Sequence, residues 1–126
     1  MEHRVKSSAA EIQDLEKVAA EVAGVLRALG NERRLMIVCK LAEWGEANVT
    51  ALAEAVGLSQ SALSQHLTKL RARKIVDYRR DSQILWYRIS DPRIEKLFVT
   101  LHGLFCRSPK GKSVPRGASK RRKQKA

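Results

Sequence analysis

Aromatic residues are few in this chain: two Trp, two Tyr and two Phe among 126 residues. A core must therefore be built mainly from aliphatic side chains, and the apolar fraction of 44% is enough for one. Only two cysteines and three prolines occur. No apolar run approaches the roughly 20 residues that a bilayer-spanning helix needs. No secretory leader is recognisable either, since Met1–Lys6 is polar and an amphipathic stretch follows, so the expected location is the cytoplasm. Paired carboxylates, a nucleophile–base set and a phosphate-binding loop are all missing, which argues against an enzyme. Acid is missing from the last twenty residues: 107–126 hold nine Lys or Arg and no Asp or Glu.

The net charge of +12 is consequently uneven. Residues 1–58 come to −2, whereas Ser59–Ser90 carry seven basic and two acidic side chains. Positive charge concentrated on one segment and a tail is the footprint of a polyanion binder. The expected organisation is a flexible N-terminus over 1–10, one domain over 11–106 and a basic disordered tail over 107–126.

Periodicity supplies the elements. Ile12, Leu15, Ala19, Val22, Leu26 and Leu29 recur at three- and four-residue spacing, predicting one amphipathic helix with a narrow stripe. Gly30 in a left-handed conformation is expected to end it, and Asn31 to cap the next. That second helix is expected over 32–43, with Leu35, Val38, Cys39 and Ala42 on one face and a short loop over Trp44–Ala47. Asn48 or Thr50 caps a third helix (Leu52, Ala53, Val56) that Gly57 ends. Ser59 caps a fourth, with Leu63, Leu67 and Leu70 as its buried stripe. Two runs rich in β-branched and aromatic residues, 75–79 and 84–89, flank the polar tip Arg80-Asp81-Ser82-Gln83 and predict a hairpin. Asp91-Pro92 opens a last helix whose apolar face is Ile94, Leu97, Phe98, Leu101, Leu104 and Phe105. The fold class is thus mainly α with a small β-hairpin, in the order of a winged helix-turn-helix.

A helix that enters the major groove needs one face to pack and one to read bases. The leucine stripe serves the first purpose. Ser59, Gln60, Ser61, Ser64 and Gln65 suit the second, because Gln both donates and accepts and so matches adenine N6 and N7. Lys69 and Arg71 are placed to meet phosphates, which fix register without reading sequence. Arg79, Arg80 and Gln83 form the candidate wing contact. Tyr78, Trp86 and Tyr87 are expected as core at the hairpin base.

Three segments carry a family resemblance: Leu29-Gly30-Asn31-Glu32-Arg33-Arg34-Leu35, the run from Leu52-Ala53-Glu54 to Gln65-His66-Leu67, and Trp86-Tyr87-Arg88-Ile89. Over about 12–106 the chain resembles the ArsR family of bacterial winged-helix repressors. The resemblance implies a homodimer through the first and last helices, with Ile12, Leu15, Ala19, Val22, Leu97 and Leu101 at the interface. It also implies an inverted-repeat operator in double-stranded DNA and an inducer that releases it. Metal sensors of the family hold a Cys-x-Cys pair where Asn48 and Thr50 stand here. Others use acid and histidine pairs on the last helix, where this chain has Asp91 but Arg93. His3, His66 and His102 are scattered, so no metal and no cofactor are expected.

Cys39 on the second helix and Cys106 at the end of the last are 67 residues apart, and sequence alone does not bring them together. Taken alone, a cysteine on an apolar helical face is usually a small hydrophobe. The chain, however, is most similar to the persulfide and redox sensors of the family, the BigR, SqrR and HlyU type. That resemblance implies that Cys39 and Cys106 are sensing thiols, crosslinked by reactive sulfur species or oxidants when DNA is released.

Overall fold

The computed structural model describes residues 8–106 and 117–120. Among them the elements run α1 (Ala9–Lys17), α2 (Ala19–Leu29), α3 (Glu32–Trp44), β1 (Gly45–Asn48), α4 (Val49–Val56), α5 (Gln60–Ala72), β2 (Val76–Asp81), β3 (Ile84–Ile89), α6 (Pro92–Phe105) and β4 (Ala118–Lys120). Side-chain caps mark most helix starts. Asn31 accepts from the Arg33 and Arg34 amides, Asn48 from Ala51, Ser59 from Ala62 and Asp91 from Arg93. Each satisfies an amide that the first helical turn leaves unpaired, typically stabilising by about 1 kcal/mol.

The first expected helix is two. Val18 leaves helical geometry at φ −110°, ψ 14°, and its amide turns back to Leu15 O at 3.1 Å. A β-branched residue is a weak helix former, and the ladder resumes with Val22 donating to Val18 O at 2.9 Å. The helical start also lies earlier than expected. Ser8 and Glu11 form a reciprocal capping box, so Ala9 and Ala10 belong to α1 and not to a flexible N-terminus. Gly30 is not left-handed; it sits at φ −80°, ψ 49°, and tight turns to Arg27 O and Leu29 O end α2 instead.

The buried face of α3 also differs from the expected one. Ile37, Val38, Leu41 and Trp44 are buried, whereas Leu35, Cys39 and Ala42 are exposed. Of the predicted stripe only Val38 faces the core. The period was correct and its phase was off by about a third of a turn, with Trp44 extending the helix and anchoring its far end. Trp44–Ala47 is accordingly no loop. Gly45 reverses the chain at φ 91°, which favours glycine, and β1 begins there.

Strand β1 joins the hairpin in an antiparallel sheet of order β2-β3-β1-β4. Its register pairs Ala47 with Tyr87 and Asn48 with Trp86, and within the hairpin Arg79 pairs with Trp86. Strands β2 and β3 are joined by Ser82-Gln83, with Ser82 at φ 62°, so Arg80 and Asp81 lie in the strand and not in the turn. The expected disordered tail is partly corrected as well: Ala118–Lys120 forms β4 on the free edge of β1, in register Ala47↔Ala118 and Gly45↔Lys120. Residues 1–7, 107–116 and 121–126, where the rest of the flexible N-terminus and tail were expected, lie outside the described residues.

The core is aliphatic, as the composition requires. Ile37, Leu41, Leu52, Val56, Leu63, Leu67, Leu70 and Ile75 are essentially sealed, with Phe98 of α6 and Tyr87 of β3 closing two sides. On α6 only Ile94 and Phe98 are buried; Leu97 and Leu101 are half-buried, and Leu104 and Phe105 are 71% and 80% exposed. Tyr78 and Trp86 are half-buried at the hairpin base.

Leu67 is the sharpest probe of this core, being 1% exposed on the helix whose outer face is polar. Leu67→Ala is expected to lower unfolding free energy by about 2–5 kcal/mol in urea denaturation at fixed protein concentration. A loss under about 1 kcal/mol would place that side chain outside the core.

Candidate nucleic-acid interface and paired thiols

Helix α5 separates packing from polar display. Leu63, Leu67 and Leu70 are buried against α3 and α4, and Ser59, Gln60, Ser61, Ser64, Gln65, Thr68 and Lys69 are all exposed. Three of these side chains have intramolecular bonds: Gln60 Nε2 donates to Thr50 Oγ1 at 3.2 Å, Thr68 Oγ1 donates to Ser64 O at 2.9 Å, and Ser59 Oγ accepts from Ala62 N at 3.1 Å. The first ties the start of α5 to α4. Gly57 makes the turn between them in a left-handed conformation (φ 72°, ψ 41°), as the sequence indicated.

Two further ties hold the α4–α5 pair to α3, and sequence reasoning found neither. The Arg33 guanidinium donates to Val56 O at the end of α4. Arg34 Nε donates to Ala28 O at 2.5 Å, and its Nη1 lies 3.3 Å from His66 Nδ1. Arginine only donates, so His66 accepts there in its neutral form. Burial, Arg34, Lys69 and Arg33, in that order, hold the His66 pKa below the usual imidazole range. His66 is thus a joint between the recognition helix and α3.

The wing is braced by a buried acid. Glu46 on β1 is 2% exposed, and Arg79 on β2 reaches it across β3. Arg79 Nε and Nη2 donate to the two carboxylate oxygens at 2.8 and 3.0 Å. On the way the guanidinium passes 5.8 Å from the Trp86 ring centre. This bidentate bond raises the Arg79 pKa and fixes the charge. Arg71 is engaged too, 3.6 Å from Asp77 and 4.5 Å from the centre of the Tyr78 ring. Two of the cations expected to reach DNA thus have internal partners. Lys69, Arg80 and Gln83 are exposed, and among the described residues no ion pair engages either cation. Glu46 carried no sequence signal, because a four-residue strand has too few positions to show a period.

The two thiols lie within electrostatic range of each other. Helix α6 packs on α3, Cys39 lies on the exposed side of α3, and Cys106 caps the end of α6, donating its amide to His102 O at 2.9 Å. Both are free and solvent-accessible. The Cys39 thiol is pushed up, first by partial burial and then by the charge of Cys106; Lys40 lowers it and Glu43 raises it. A charge on one sulfur is therefore felt at the other. Lys40 is diverted to Glu43 at 3.7 Å and to the Trp44 ring, which limits its help to Cys39.

Along α1 and α2, Ile12, Leu15, Ala19, Val22 and Leu26 are exposed, and Val18 continues the strip. Leu97 and Leu101 of α6 are half-buried. Among the described residues no three His, Cys, Asp or Glu side chains converge on a common point, and no helix is long and apolar enough to cross a membrane.

Comparison with known proteins points the same way. The family described as bacterial regulatory protein, arsR family, matches residues 31–78. The transcriptional activator HlyU of Vibrio cholerae is 38% identical over 104 residues, covering 82% of this chain and 95% of that protein. The structure of reduced HlyU superposes with a TM-score of 0.70 at 40% identity, over 75% of this chain and 99% of that one. The biofilm growth-associated repressor of Xylella fastidiosa is 40% identical over 98 residues, 78% of this chain and 85% of that protein. A homodimeric winged helix-turn-helix DNA-binding domain from Mycobacterium bovis matches with a TM-score of 0.63 at 32% identity, over 80% of this chain and 89% of that one.

The raised Cys39 thiol has a direct consequence. Its thiolate fraction at neutral pH is below that of an ordinary cysteine, so its alkylation rate is expected to climb with pH and reach half-maximum above the usual thiol range. In Cys106→Ser the midpoint falls, because the repelling charge of Cys106 is gone. An unshifted midpoint in both proteins would mean that the thiols do not sense each other.

Proposed function

The chain belongs to the arsR family of bacterial regulatory proteins, and on that footing we propose that it is a homodimeric repressor that releases its operator when Cys39 and Cys106 become crosslinked. Its DNA-binding part is the winged helix-turn-helix. Gln60, Ser61, Ser64 and Gln65 read base edges in the major groove, with Ser59 and Lys69 beside them and Arg80 and Gln83 at the wing. Arg71 and Arg79 act differently from free phosphate contacts: they position β2 through Asp77 and Glu46. The exposed strip from Ile12 to Leu26, with Leu97 and Leu101, forms the interface with a second copy. This places two recognition helices about one turn of DNA apart.

The observation that carries the switch is the electrostatic closeness of the two free thiols. One thiolate attacks the outer sulfur of a low-molecular-weight persulfide, whose thiol leaves, and a protein persulfide results. The second thiolate then attacks the inner sulfur and expels hydrosulfide, giving a disulfide. Alternatively the protein persulfide and the second thiol lose two electrons and two protons to another persulfide, giving a trisulfide. A general oxidant such as peroxide takes the same two electrons from the two thiols. Either crosslink ties α3 to the dimerisation helix α6. Because α3 supports α4 and α5, the separation of the recognition helices changes and the free state competes better against the bound one. Biofilm growth-associated repression and transcriptional activation, as the relatives are described, are outputs that such a switch can serve.

One observation favours a second reading. A thiol pushed up by burial is a slower nucleophile at neutral pH, as a structural cysteine would be. A constitutive DNA binder of that kind keeps its affinity whatever the thiol state, and only salt weakens it. A metal or other small-molecule inducer would reveal itself by a response to zinc or to chelator in the Cys39→Ser, Cys106→Ser double variant.

Fluorescence anisotropy with labelled operator DNA separates these. Reduced wild type, Cys39→Ser and Cys106→Ser are expected to bind alike; persulfide weakens only the wild type, by about 5- to 150-fold. A full response in either serine variant would sink the two-thiol switch. For base reading, Gln65→Ala is expected to cost about 1–3 kcal/mol on operator DNA and almost nothing on random DNA. Equal losses on both would make Gln65 a backbone contact.

A further inference from the structure

A cleft of about 680 Å³ opens where α2, the end of α5, the base of the hairpin and the start of α6 meet. Its wall carries four cations, Arg71, Arg73, Lys74 and Arg93, against Glu21, Asp77 and Asp91. The acids are all committed. Arg71 lies 3.6 Å from Asp77, and Arg93 pairs with Asp91 at 2.7 Å and Glu21 at 3.4 Å. Among the described residues, Arg73 and Lys74 form no ion pair, so neither has a carboxylate partner in a wall of four cations and three acids that carries one net positive charge.

Local contacts hold both in place, Lys74 as the left-handed residue of the turn that ends α5, where Ile75 N donates to Leu70 O at 3.0 Å. Gly24, in the middle of α2, is buried because the Arg73 guanidinium lies directly on its backbone; a Cβ there would overlap the guanidinium. Glycine inside a helix costs about 1 kcal/mol relative to alanine, so this contact carries a penalty that another residue would avoid. Lys74 stands at φ 60°, in the left-handed region that non-glycine residues rarely adopt. Ser90 Oγ donates to its carbonyl at 2.9 Å and pins that turn to the end of β3.

The cleft lies away from the start of α5 and from the wing turn, with Lys69 one helical turn from Arg73. It lies at the base of the hairpin, and six-residue strands put the wing turn about 20 Å away. Along α5, Gln60 is thirteen residues before Arg73, again about 20 Å. The cleft is also beside the exposed apolar strip rather than under it, since Glu21 lies about 100° around α2 from Val22. Its volume falls in the range of small-molecule sites, and its wall is too charged for an apolar ligand.

We propose that this cleft binds a small organic dianion, a dicarboxylate or a phosphate monoester, held by Arg73 and Lys74. Two anionic oxygens of such a ligand meet the two cations at once, where a single carboxylate holds them less well. Bound there it bridges the recognition helix to α2 and α6, the two helices on which a dimer would be built. The inference stands independently of the thiol switch.

Isothermal titration of the reduced full-length protein tests it, with succinate, glycerol 3-phosphate and acetate at constant ionic strength. One or both dianions are expected to bind and acetate is not; which of them binds tells a carboxylate site from a phosphate site. Arg73→Gln with Lys74→Gln weakens the dianion by about tenfold or more, the loss of at least one charge-assisted hydrogen bond. Gly24→Ala, which alters no charge, weakens it as well by displacing Arg73. Circular dichroism of each variant checks the fold, which these exposed side chains do not support. Absence of binding by both dianions overturns the proposal, and so does equal binding by the double variant. A double variant that instead loses operator affinity and salt dependence, with dianions silent, would assign the two cations to DNA phosphates and refute it too.

Discussion

Everything else in the structure depends on the burial of one face of α3. Ile37, Val38, Leu41 and Trp44 meet α2, α4, α5, α6 and the sheet, so this helix is the piece that all others share. Burying four such side chains contributes about 6–12 kcal/mol against an exposed chain, a sum comparable with the net stability of a small domain. The same commitment leaves the opposite face in solvent, and Cys39 is on it. A covalent bond at Cys39 therefore acts on the element that positions the recognition helix, with no intermediate relay required.

Charge is divided between holding the fold and meeting a partner. Arg33, Arg34, Arg71, Arg79 and Arg93 all have internal acceptors, and each ties an element to its neighbour. Lys69 and Arg80 remain exposed on α5 and the wing, and Arg73 and Lys74 follow one turn beyond Lys69, at the end of α5. The strongest of the internal ties is Arg79 to Glu46, because Glu46 is sealed from water and would be costly to leave unpaired. A rigid wing follows from it. The positive footprint that composition suggested is thus real in sum, while its geometry is narrower than a count of Lys and Arg implies.

Much of this was legible in the sequence. The leucine stripe of α5, the caps at Asn31, Asn48, Ser59 and Asp91, and the hairpin all stand where period and cap chemistry put them. The failures share a cause. The phase of α3, the strand at Gly45–Asn48, the Glu46 brace and the strand Ala118–Lys120 are set by partners distant in the chain, and local pattern carries no information about them. The break at Val18 turns on a single residue inside an unbroken apolar period. Of the candidate site, Gln60, Ser61, Ser64 and Gln65 are exposed as expected, whereas Arg71 and Arg79 are engaged internally. Cys39 was placed among core-facing residues and is exposed, and its approach to Cys106 comes from the packing of α6 on α3.

The most direct test of the thiol account is a peptide mass map of the reduced protein after reaction with a low-molecular-weight persulfide and, separately, with peroxide. The account predicts one new product in each case, a peptide pair joined through Cys39 and Cys106, with added sulfur in the persulfide reaction if a trisulfide forms. Two unmodified thiols after both treatments, or crosslinks that join Cys39 to Cys39 of a second copy, would contradict it.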